Sequence, residues 1–199
     1  MISRHARHLP AAVITAVLAA ACTTAMSRHG AADALPAGFD ARTVEIKYYW
    51  MGLSVNSPVD GVYRFERQGN VFTGTVQLSL GANEYYKQAG PLPATIPDSA
   101  MRAFLRTLAA APRQPGVYNP RMSHTDDYPE STITLRSDAG VVEFFSSSQG
   151  DASPWRVTIG GQQYVSDSTV PSEAMRHLTP FMRRTELDSI LVAAGARKR

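Results

Sequence analysis

Apolar and polar residues alternate strictly along Thr43 to Leu53, with Val44, Ile46, Tyr48 and Trp50 on one face and Glu45, Lys47, Tyr49 and Met51 on the other. Period two with β-branched and aromatic residues predicts a strand with one buried face. Val62–Arg67 and Val71–Leu80 flank Gln68-Gly69-Asn70, and Thr132–Arg136 and Val141–Phe145 flank Ser137 to Gly140. Each pair predicts a hairpin, because glycine and asparagine tolerate the positive φ that tight turns need. WRVTI (155–159) and QQYVS (162–166) form a third pair around Gly160-Gly161. Gly81 to Ala94 reads as a longer connection carrying Tyr85 and Tyr86.

The pattern changes to helical twice. Met101, Phe104, Leu105 and Leu108 recur at i, i+3, i+4 and i+7, after Pro97 and Asp98 and before Pro112. This is an amphipathic helix with an acid at its positive end. A second helix is expected from Thr169, kinked or ended at Pro180, followed by a last helical piece from Thr185 to Ala194. TIPDSAMR at 95–102 and TVPSEAMR at 169–176 share five of eight residues at an offset of 74. With strands preceding each, this suggests an internal duplication of a hairpin–helix unit. The expected fold is α+β: a mainly antiparallel sheet of about six or seven strands with two principal helices on one face.

The N-terminus concerns address rather than fold. Arg4 and Arg7 precede an eleven-residue apolar run, Ala11 to Ala21, and no acid occurs before Asp33. That run suits a signal-peptide core, whereas a membrane span needs about 20 apolar residues. It ends Leu18-Ala19-Ala20-Ala21-Cys22, with Cys22 the only cysteine of the chain. The stretch resembles a bacterial lipobox, except that Ala19 stands where an aliphatic residue is usual. The resemblance implies diacylation of Cys22 (palmitate among the acyl chains) and a lipoprotein facing the periplasm. Thr23 in place of an aspartate favours the outer membrane, with inner-membrane anchoring the alternative. Ordinary secretory cleavage after Ala21 is the competing reading. The expected organisation is a signal peptide at 1–21, a tether at 22–42 and one domain at 43–199.

Charge adds little. Without residues 1–21, 18 bases face 17 acids, so the sequence pI of 9.2 partly reflects the leader. No nucleic-acid partner is expected from this balance. The lone cysteine cannot form an internal disulfide.

The richest chemistry lies in VYNPRMSHTDDYPES, 117–131, where His124, Asp126 and Asp127 fall within four positions. The candidate binding loop comprises Tyr118, Arg121, His124, Asp126, Asp127 and Tyr128, with Trp155 as a nearby aromatic. Aromatic anchors with a polar rim suit a recognition surface, and they also suit a loop packed over the end of the sheet. His124, one of the aspartates and His177 would make a two-histidine, one-carboxylate metal set if the fold joined them. Asp126 and Asp127 as turn and capping residues are the simpler reading. No G-x-S-x-G, S-x-x-K, H-E-x-x-H, P-loop or dinucleotide fingerprint occurs. No catalytic residue, metal or cofactor is therefore assigned. The expectation is a lipid-anchored periplasmic binding or interaction module, non-catalytic, with a protein partner and in concrete form an inhibitor or immunity-type lipoprotein. The alternatives are an envelope hydrolase using His124, Asp126 and Asp127, and a structural envelope scaffold.

Overall fold

A computed structural model describes residues 32–51, 59–81, 87–121, 128–148 and 153–195. Eight strands form one sheet, antiparallel throughout. In chain order these are β2 (Thr43–Met51), β3 (Val59–Gln68), β4 (Val71–Leu80), β5 (Lys87–Pro97), β7 (Tyr128–Ser137), β8 (Gly140–Ser146), β9 (Trp155–Ile159) and β10 (Gln162–Ser166). Across the sheet the order is β10-β9-β8-β7-β2-β3-β4-β5. Two short strands, β1 (Ala32–Asp33) and β6 (Pro112–Arg113), pair with each other alone. The helices are α1 (Asp98–Ala109), α2 (Val170–Met175) and α3 (Arg184–Ala193), with a 3-10 turn at Thr179–Phe181. The α+β class and the antiparallel sheet are as expected. The sheet is larger than the expected six or seven strands, and the helical part has three helices where two principal ones and a last helical piece were expected.

The extra strand is β5, which lies in the stretch read as a connection. Pro91, Pro93 and Pro97 fall within it, and proline is disfavoured inside strands. It is an edge strand, and Pro93 and Pro97 sit four residues apart, opposite Thr75 and Val71. A residue without an N–H fits only where the N–H would point away from β4, so the prolines remove outward donors and blunt the edge against pairing with another chain. The helix expected from Thr169 stops at Met175, Pro180 falls in the 3-10 turn that follows, and α3 is the last helical piece expected at Thr185 to Ala194.

Alternation sorts the sheet into two faces. Val44 and Ile46 of β2, Tyr63 and Phe65 of β3, Ile133 and Leu135 of β7, and Val142 and Phe144 of β8 all lie in one buried core. Met101, Phe104, Leu105 and Leu108 of α1 fill the same core, with Leu187 and Leu191 of α3. Each such burial contributes about 1.5–3 kcal/mol. The Asp98–Arg102 pair on the exposed side of α1 contributes far less. α1 leaves the end of β5 and the chain then reaches Gln114, which exchanges both backbone hydrogen bonds with Val165 of β10 at 2.9 Å. The helix thus carries the chain from one edge of the sheet to the other. Residues 32–42, assigned above to the tether, are packed into the domain: Ala34, Leu35 and Ala41 are buried, and the Ala34 N–H bonds to the Ala109 carbonyl.

The strand order has an internal symmetry. Each half is a four-stranded meander followed by a helix, and the halves meet where β2 pairs with β7. Their nine-pair ladder runs from Thr43↔Arg136 to Met51↔Tyr128, with Lys47↔Thr132 at its middle, so a two-fold there relates residues 85 apart. Following the register outward, Tyr48, Gly61, Leu78 and Ala89 correspond to Ile133, Phe144, Val157 and Tyr164. The offset falls from 85 to 75 along that row. The irregularity between Val76 and Leu78, opposite Gly90-Pro91, lowers it to 74 beyond, where Leu92 corresponds to Ser166. An offset of 74 is also that between the two helix-start motifs.

Candidate functional site

The two ends of the sheet are built differently. At one end the hairpins close in two residues: Gly69-Asn70, Asp138-Ala139 and Gly160-Gly161. Gly160 and Gly161 both have positive φ (56° and 82°), as a two-residue turn matching the strand twist requires. At the other end the connections are long: 52–58 between β2 and β3, 81–86 between β4 and β5, and 147–154 between β8 and β9. The chain between the halves enters β7 at this end too. A two-fold through Lys47↔Thr132 exchanges the ends, so it would give each end the same loop lengths. The real chain puts every long one at a single end.

The inward face shows the same bias. One row across the sheet reads Leu92, Val76, Tyr63, Ile46, Ile133, Phe144, Val157, Tyr164, all large and apolar or aromatic. The next row toward the long connections reads Ala89, Leu78, Gly61, Tyr48, Ser131, Ser146, and then Trp155 opposite Ser166. Half of its members are Gly or Ser. The pseudo-two-fold sets Ile46 against Ser131, Tyr63 against Ser146 and Leu92 against Ser166. Small residues are therefore more numerous here than in the row toward the tight turns, where Ala94 and Gly74 are the small members. Tyr48 is 37% exposed in this row, and burial of its ring raises the hydroxyl pKa against the opposing charge of Arg184.

The segment 114–121 is fastened to this end. The Tyr118 hydroxyl accepts a 2.7 Å bond from the Ser147 N–H and lies 3.2 Å from Ser147 Oγ. Its ring meets Phe145 edge-on at 5.9 Å, and Arg156 stacks on the other contact of Phe145 at 4.5 Å. The Arg121 N–H donates to Ser148 Oγ (3.0 Å), and its guanidinium grips both oxygens of Asp167 at 2.8 and 3.0 Å. Ser153 Oγ donates to the same Asp167, at 2.9 Å. Beneath, Ser146 Oγ donates to the Pro154 carbonyl and accepts from the Ser148 N–H. Trp155 is 2% exposed, a core residue at the start of β9 rather than a surface aromatic. Tyr128 begins β7 at this end.

His124, Asp126 and Asp127 lie outside the described residues, as do Cys22 and the segments 52–58, 82–86 and 149–152. His177 lies within hydrogen-bond distance of Thr107 Oγ1 of α1 (Nε2 to Oγ1, 3.1 Å). Among the described residues, no group of three or more His, Cys, Asp or Glu could hold a metal ion. Asp167, Ser147, Ser148 and Ser153 organise this end, and sequence reasoning did not single them out. The one signal available was their place at strand ends in serine-rich stretches, which marks turns generally.

On the outward face, Glu45 is held by Lys47 (2.7 Å) and Arg64 (2.6 Å). Burial raises the Glu45 pKa, but the hydrogen bonds and charges of Lys47 and Arg64 outweigh it and leave the carboxyl below its ordinary value.

The chain matches no protein-family model, no curated protein and no solved structure.

Proposed function

We propose that this chain is a lipid-anchored, periplasm-facing interaction module that engages a protein partner with the long-connection end of its sheet. The address rests on Arg4, Arg7, the apolar run and Cys22, with the outer membrane as the site of the anchor. One observation carries the role: in a scaffold with a two-fold in its strand register, every long connection lies at one end, beside an inward row in which half the members are Gly or Ser. Stability alone gives no reason for that direction. Loops set on a rigid sheet are where recognition concentrates. The near-symmetry itself we attribute to duplication of a four-strand, one-helix unit, supported by the common offset of 74 in register and motif. The reading is non-catalytic, and a partner inhibitor or immunity-type lipoprotein is its concrete form.

The test is capture of envelope proteins by the domain from Thr23 onward, with bound metal measured on the same sample. A stoichiometric protein partner supports the proposal. A stoichiometric metal lost in His124→Ala, without a protein partner, overturns it in favour of hydrolysis. Palmitate labelling of the full chain, abolished by Cys22→Ala, checks the anchor independently.

A further inference from the structure

Among the described residues, the Nε groups of Arg67 and Arg156 and two groups at the long-connection end are buried with no protein partner; those two are the indole Nε1–H of Trp155 and the hydroxyl of Ser166. Their residues are 2% and 0% exposed. They are not scattered. Trp155 and Ser166 are directly opposed in the β9–β10 ladder. Directly opposed side chains share a face, with Cβ atoms about 4.5–5.5 Å apart. Buried polar groups in folded proteins are almost always satisfied. Two orphans set against each other therefore point to one shared acceptor.

We propose that Trp155 and Ser166 bind a single internal water, whose oxygen accepts from the Trp155 indole N–H and bonds to the Ser166 hydroxyl. The chemistry of the pair selects the occupant. An indole N–H only donates, whereas a serine hydroxyl donates or accepts, so the guest must offer an acceptor to one and either role to the other. Water does both, and the near-complete burial of both residues favours the smallest such guest. Buried waters bond to two to four polar groups, and this pair supplies two of them. The symmetry explains how the site arose: Ser166 stands where the other half has Leu92, whose larger side chain would fill the space. The water holds the start of β9 to the end of β10, between Ser153 and Asp167 of the polar cluster above and the apolar row below.

The mature chain has two tryptophans, Trp50 and Trp155, so indole-labelled protein gives two N–H signals, and Trp50→Phe leaves that of Trp155 alone. The measurement is a rotating-frame cross-peak between this N–H and long-lived water. The expected result is a cross-peak that weakens in Ser166→Ala, where the water loses one of its two partners, and disappears in Ser166→Val, where two methyl groups take its place. No cross-peak in the parent protein overturns the proposal. An undiminished cross-peak in Ser166→Val also overturns it, since the water then does not occupy that space.

Discussion

Arg183 donates through Nη1 to the carbonyl oxygen of Pro93 at 2.5 Å, joining the head of α3 to the outer edge of β5 across 90 residues of sequence. The same guanidinium is clamped to Glu186 by two 2.7 Å hydrogen bonds. Pro93 has no N–H to offer a stray strand, and its outward carbonyl is covered by Arg183, so the edge is closed at Pro93 in both hydrogen-bonding senses.

Arg183 is also the one described non-glycine residue with positive φ, at 49°. A side chain in that conformation costs roughly 1–2 kcal/mol. Arg183→Ala keeps the strain and loses the bonds, whereas Arg183→Gly loses the bonds and relieves the strain. Glycine is thus expected to be the more stable of the two variants. Urea unfolding of both checks this, and an alanine variant more stable than the glycine variant contradicts it.

Gly74 allows the sharpest close approach in the sheet. A Cβ there would lie 1.7 Å from the Arg64 carbonyl oxygen, whereas at Gly69 a Cβ meets nothing within 4 Å. Gly74→Ala is therefore expected to cost at least about 3 kcal/mol or to prevent folding. Gly69→Ala carries only the penalty of its positive φ, about 1 kcal/mol. Thermal denaturation of the pair distinguishes steric from conformational demand.

Glu45 governs an acid-sensitive element on the outward face. Because its folded pKa lies below the ordinary carboxylate value, its ionised form adds stability that is complete above the unfolded pKa and disappears as pH falls through the folded value. The melting temperature of Glu45→Gln should lie below that of the parent near neutrality, with the gap closing on acidification through that window. A gap that stays constant with pH would mean the contribution is packing rather than charge.

The Arg121–Asp167 pair has the best geometry at the long-connection end, but its side chains are 66% and 54% exposed. Exposed pairs contribute little. A double-mutant cycle with Arg121→Ala and Asp167→Ala should give a coupling below about 1 kcal/mol in stability. A much larger coupling would make this pair a structural lock on segment 114–121.

How far the sequence carried the fold depended on what each residue had to do. Strands whose alternation was undisturbed were legible almost to the residue: WRVTI and QQYVS are β9 and β10, and VFTGTVQLSL is β4. β5 was hidden because edge position, not propensity, licenses Pro93 and Pro97, and edge position is a property of the sheet. Ala34, Leu35 and Ala41 were hidden in a small-residue tether because their burial depends on α1 and β6 reaching the far edge. The two-fold of the strand register was hinted at only by the two helix starts. The strands themselves differ, with Ser146 where the other half has Tyr63, and the register was needed to align them. For the candidate site, Tyr118 and Arg121 were legible by residue type, and their fastening to Ser147, Ser148 and Asp167 was not, since those partners are 27 to 46 residues away.

The central claim is that one end of the sheet meets the partner. The domain from Thr23 onward has no cysteine, so single cysteines can be placed at will and capped with polyethylene glycol. Asp60 and Glu130 are exposed near the long-connection end; Asn70 and Ala139 are exposed in turns at the other. Polymer on Asp60→Cys or Glu130→Cys should abolish capture of the envelope partner, and polymer on Asn70→Cys or Ala139→Cys should leave it intact. Capture lost only from the tight-turn end, or kept in all four variants, would contradict the assignment of the interaction surface.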